Sequence, residues 1–140
     1  SNAVMVAAQE RGKMAIAYHS DMRKVAPDAQ LMAVTHEWGR YYAQRVTDVQ
    51  KSQWQPGNVW GGLKDGMVRV GDFGPQLPAK VRDEIAQIQK DIVSGKRHPF
   101  QGPFSNQEGK PVVSVGQKLT DADILSMNYG VAGLVGKISP

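Results

Sequence analysis

The chain has 140 residues, 17 Lys and Arg against 13 Asp and Glu, a formal charge of +4, 41% hydrophobic residues and no cysteine. That length and composition suit one globular domain or a piece of a larger protein, and they exclude disulfides, thiolate catalysis and cysteine-ligated metals. The basic residues are scattered (Arg11, Lys13, Arg23, Lys24, Lys51, Lys80, Arg82, Lys96, Arg97) and never exceed pairs, so no nucleic-acid footprint is expected; no apolar run is long enough to span a membrane.

In chain order, residues 1–3, "SNA", look like the scar of a cleaved expression tag, and "VMVAAQERG" looks like the last turns of a helix over 4–11 with Gly12 as its C-cap. Together they suggest an excised portion of a longer chain. "KMAIAY", 13–18, is expected to be a short buried strand. It stops at "YHSD", where a ring, an imidazole, a hydroxyl and a carboxylate arrive together. A loop leads to a second apolar run, "LMAVT", at 31–35, which stops at "THEW". Trp38, Tyr42, Val46 and Val49 then recur at helical spacing and predict an amphipathic helix over 37–52 whose aromatic stripe packs against a sheet or lobe.

Beyond the turn "QPGN", two short strands are expected at 59–63 and 67–73, on either side of the turn dipeptide in "KDG". Pro78, the stripe Val81, Ile85, Ile88 and Ile92, and Gly95 predict a helix over 78–95. A proline- and glycine-rich loop follows, then a strand at 112–115. Thr120 with Asp123 three residues on forms a capping-box opening for a last helix, before an apolar, glycine-rich tail. Strands alternating with helices predict an α/β fold with a mainly parallel sheet flanked by helices. Ligands of such sheets bind beyond the carboxyl ends of the strands. If the first two strands are neighbours, His19 and His36 meet there.

Five segments in order, "AIAYHSDM", "LMAVTHEWGRYY", "GNVWGGLKDGMV", "FGPQLP" and "HPFQGPFSNQEGK", resemble the basic membrane protein family of ABC-transporter substrate-binding proteins, over the C-terminal part only. The resemblance implies a truncated type I periplasmic-binding-protein fold, in which two α/β lobes joined by a hinge hold a solute between them and deliver it to a permease. Residues 4–55 would then be part of the C-terminal lobe. Residues 56–140 would be the hinge crossing and segments packing back between the lobes. The full-length parent would be periplasmic or at the cell surface, as a membrane-anchored lipoprotein. Better-known members bind purine nucleosides, with an Asp at the first strand end on the ribose and a Lys at the second. Here His19 stands for that Asp and His36 for the Lys, while Asp21 matches a further Asp. Two imidazoles lose the usual ribose contacts yet still hydrogen-bond and stack on a flat nitrogen heterocycle. The expected ligand is therefore a purine, a base such as adenine before a nucleoside.

The expected ligand-binding residues are His19, Asp21, His36 and Trp60, with no catalytic residue, metal or cofactor. Each has a plainer reading: His19 as a strand-end histidine bonded to a carbonyl, His36 as part of the helix start, Asp21 as a turn former, Trp60 as packing. His98, in the loop before Pro99, is expected to be a structural anchor. The rival functions are a histidine-based metal-dependent hydrolase and a non-catalytic interaction fragment; the sequence holds no H-E-x-x-H, G-x-S-x-G or phosphate-cradling loop. Half of a two-lobed cleft leaves apolar faces and sheet edges open, so self-association is also expected, by exchange of segments after a hinge near 52–60.

Overall fold

In the computed structural model, which describes residues 2–136, the chain opens with α1, Ala3–Glu10, whose end is set by glycine chemistry. Gly12 has φ of 59°, its N–H bonds the Gln9 carbonyl, and Lys13 N–H reaches back to the Ala8 carbonyl at 2.8 Å. These two bonds are the Schellman closure that a left-handed residue after the C-cap permits. The first scar residue and the last four residues of the tail lie outside the described residues.

β1, Ala15–His19, pairs in parallel with β2, Gln30–His36. Residues 20–29 carry the chain back between them. The face of these strands that bears Ala17 and Ala33 forms the core with Met5 of α1 and with Met22, Ala26 and Ala29 of the connection. Ala17, Ala26, Ala29 and Ala33 are all essentially fully buried. Alanine lets a non-helical connection lie close on the sheet, and close packing is what makes so small a core cohere.

α2, Trp38–Gln50, begins immediately after β2, and β3, Val68–Gly71, then pairs with β2 in antiparallel register, giving the order β1-β2-β3. The sheet is therefore mixed, not mainly parallel. The reason lies in the return path. Glu37 N–H bonds the Met67 carbonyl at 2.9 Å, so β3 starts at the end where β2 stops and must run the other way. The strand expected at 59–63 does not form. Gly62 N–H is taken by the Asp65 carboxylate at 2.9 Å, and the Gly62 carbonyl accepts from Met67 and Val68. Those backbone groups close a loop and are not free for a ladder.

α3, Ala79–Val93, starts after Pro78, whose carbonyl accepts from Val81 and Arg82, as expected for proline at a helix entrance. Neither α2 nor α3 has a buried residue. The aromatic stripe expected to pack against the sheet is exposed instead: Trp38 by 45%, Tyr42 by 59% and Val49 by 60%.

The chain divides into two units, Ser1–Val93 and Ser94–Pro140. In the second, β4, Phe104–Ser105, and β5, Pro111–Val113, form a small antiparallel pair. Asn106 closes its turn by accepting from Glu108 and Lys110 N–H. The capping box at Thr120 and Asp123 opens α4, Asp121–Leu125, with both reciprocal bonds made. His98 Nδ1 accepts from Phe100 N–H at 3.2 Å, a local anchor.

Candidate functional site

His19 and His36 meet at the ends of β1 and β2, with their Nδ1 atoms 3.3 Å apart and their ring centroids 5.0 Å apart. Register alone does not bring them together. His19 is opposite Thr35, one residue short of His36, and successive strand residues face opposite sides of a sheet. In a regular strand the His19 ring would turn away from Tyr18 and His36. Its backbone has instead a left-handed φ of 74°. Histidine tolerates that region better than most residues with a Cβ. The twist swings the ring onto the Tyr18 side, with Tyr18 and His19 centroids 3.9 Å apart.

A continuous aromatic surface results. Tyr18 meets His36 edge-on at 5.7 Å, His36 stacks on Trp38 at 5.6 Å with planes 14° apart, and Trp38 stacks on Tyr42 at 5.9 Å. Arg45 lies over the Tyr41 ring at 5.2 Å. Tyr18 is 58% exposed, so this surface presents π faces and imidazole nitrogens to solvent.

Asp21 occupies a different environment. Its carboxylate accepts from Arg23 Nε and Nη2, the latter at 2.7 Å, from Arg23 N–H at 3.1 Å, and from Gln30 Nε2 at 3.0 Å. The Arg23 side chain holds its pKa well below the usual carboxylate range. Gln30 is fully buried and satisfied at both ends, accepting from Met22 N–H and donating to Asp21 and to the Asp72 carbonyl. Arg23 also reaches Asp72 at 3.4 Å, and Arg69 ties Asp72, at 2.6 Å, to Glu37, at 3.3 Å. This chain of charges joins the connection after β1, the end of β3 and the residue next to His36. Trp60 lies in the irregular stretch before Gly61, 56% exposed.

Sequence reasoning expected His19 and His36 to meet at neighbouring strand ends, and they do. It missed Arg23, Gln30, Arg69 and Asp72, which hold the strand ends in place. Their only advance signal was polarity beside short apolar runs. A cavity of about 700 Å³ opens elsewhere, in the second unit, lined in part by Lys118, Leu119, Asp123, Met127 and Tyr129. It has no histidine, and its Asp123 is already committed to the cap of α4. Among the described residues no group of three or more His, Cys, Asp or Glu side chains is arranged to hold a metal ion, and no helix is long and apolar enough to cross a membrane.

In α/β sheets ligands bind beyond the carboxyl ends of parallel strands, and the His19 and His36 rings lie at such an edge. The family model of PnrA-like ABC transporter substrate-binding proteins matches residues 1–98, and the chain belongs to that family. It is 38% identical over 138 residues, 99% of its length, to a purine-binding protein of Brucella abortus, and 22% identical over 102 residues, 73% of its length, to a Haloferax volcanii protein whose name refers to glucose binding for an ABC transporter. The chain spans 39% and 26% of the length of these two curated relatives. A solved structure, the transcriptional activator of the comK gene from Bacillus halodurans, superposes on 69% of this chain and 34% of its own with a TM-score of 0.59 and 23% identity, which is a likeness of fold.

Proposed function

We propose that the chain is the C-terminal portion of an extracytoplasmic solute-binding component of an ABC transporter, which holds a purine without transforming it and passes it to a permease. The observation that carries this reading is the meeting of His19 and His36 beside exposed Tyr18 and Trp38. Imidazole nitrogens can donate to and accept from the edge of a purine, and the rings offer faces for stacking. The likeness to the Brucella abortus purine-binding protein supports the same ligand class. A free base such as adenine is favoured over a nucleoside, since His19 and His36 stand at the two strand-end positions where the resemblance expects the Asp and Lys of a nucleoside binder, and the Asp21 oxygens are taken by Arg23 and Gln30.

Within this reading the parent has two lobes in the type I arrangement. Residues 4–55 belong to its C-terminal lobe, and 56–140 are the crossing and the segments that return between lobes. The parent is a lipoprotein held outside the cytoplasm. Trp60 lines the cleft. Asp21 acts on the ligand through the placement of the strand end, because its oxygens are taken by Arg23 and Gln30. The apolar surface of β1 and α2 leads the isolated chain to self-associate. A hydrolase reading draws no support from two histidines that no third metal-binding side chain joins among the described residues.

The test is thermal unfolding with adenine, adenosine and glucose. A ligand at 100 times its dissociation constant stabilises the folded state by about 2.7 kcal/mol. Adenine is expected to raise the midpoint most, adenosine less and glucose not at all. A rise with glucose and none with either purine would overturn the assignment.

A further inference from the structure

We propose that His19 and His36 together form a two-point chelate for a borderline divalent cation such as Zn²⁺ or Cu²⁺. The argument is one of spacing. A metal–imidazole bond of about 2.0–2.1 Å and a tetrahedral angle put two ligating nitrogens about 3.3–3.4 Å apart. The two Nδ1 atoms are 3.3 Å apart. A direct N–H···N bond between them sits at the long end of the hydrogen-bond range, so the separation suits a shared ion better than a shared proton.

The backbone supports the same arrangement. The left-handed φ at His19 is what turns its ring onto the side of His36, and conformations of that kind cost energy unless the surroundings enforce them. Tyr18 flanks both imidazoles, at 3.9 Å and 5.7 Å between centroids. The charges of Arg69 and Arg23 are met by carboxylates: Arg69 pairs with Glu37 and Asp72, and Arg23 with Asp21 and Asp72.

The donor set also defines the kind of metal. Imidazole nitrogens suit Zn²⁺, Cu²⁺ and Ni²⁺, and not Mg²⁺ or Ca²⁺. With no third His, Cys, Asp or Glu grouped there among the described residues, the site is open and exchangeable, unlike the closed four-ligand site of a structural zinc. The remaining positions fall to water or to a ring nitrogen of a bound heterocycle.

The experiment is calorimetric titration of the 140-residue chain with ZnCl₂ in the absence of any solute, followed by CuCl₂. The sequence has three histidines, which makes the assignment clean. The wild type and His98→Gln are expected to bind one ion per chain. His19→Asn, which keeps a residue tolerant of left-handed backbone, and His36→Gln are expected to lose saturable binding. Nitrogen-15 spectra of the wild-type imidazoles give an independent reading: Zn²⁺ should shift the Nδ1 signals of His19 and His36 and leave His98 unchanged. Absence of a saturable isotherm, binding that survives both substitutions, or a shift confined to His98 would each overturn the proposal. Purine binding measured in the presence of EDTA is separate, so failure of one reading leaves the other standing.

Discussion

The conformation of a single residue, His19, decides whether the imidazoles at two strand ends meet. Its left-handed backbone is tolerable for histidine, better for glycine or asparagine, and poor for a β-branched side chain. His19→Asn is therefore expected to unfold at nearly the wild-type urea midpoint, and His19→Val to cost about 1–2 kcal/mol. Equal stability of the two variants would show that the ring is not placed by this twist. Asp21 carries a different lesson. Its pKa lies below the ordinary value because the folded chain favours the ionised form through Arg23. Its contribution is complete above about pH 4, the ordinary range for an unfolded aspartate, and is lost as pH falls further through the folded value. Asp21→Asn should destabilise the protein by about 1 kcal/mol at neutral pH, and by progressively less in acid unfolding curves taken below pH 4. Thr35 points the other way. Its hydroxyl is buried and meets no hydrogen-bond partner. Thr35→Val keeps the shape and removes the unmet group, so it should raise stability by about 1 kcal/mol in urea unfolding.

At the scale of elements, the apolar runs, the helix stripe and the cap residues showed where β1, β2, α2, α3 and α4 lie. The meeting of His19 and His36 was legible because both apolar runs stop at a histidine. The way the rings meet was not legible, since it depends on a torsion that no residue pattern encodes. The strand expected at 59–63 failed for a related reason: Gly61 packs against the Met67 side chain, and Gly62 spends its backbone groups on the loop. The braces Arg23–Asp72 and Gln30–Asp72 join residues more than forty positions apart, beyond the reach of any local pattern. Local chemistry was reliable at the cap of α4, where Thr120 and Asp123 bond reciprocally. Thr120→Ala should remove about 1 kcal/mol of local stability, read as faster amide exchange over 121–125 with the β1–β2 amides unchanged.

At the scale of the whole molecule, the first unit has two unlike faces. One side of the sheet is closed by α1 and the alanine-rich connection. On β1, Ile16 and Tyr18 remain more than half exposed, as do Tyr42, Val46 and Val49 of α2. Apolar surface on that scale marks a surface that seeks cover. Sedimentation velocity at micromolar concentration should therefore show association that rises with concentration, and a single monomer boundary would contradict it. The chain spans 39% of the length of its Brucella abortus relative, and under the proposed function this surface is the one that would face the rest of such a protein.

The measurement that bears most directly on the solute site is an NMR titration of the histidine side chains with adenine. With three imidazoles in the sequence, each can be followed alone. The account predicts saturable shifts at His19 and His36 and none at His98; shifts at His98 alone, or unmoved signals at the strand-end pair while adenine binds elsewhere, would contradict it.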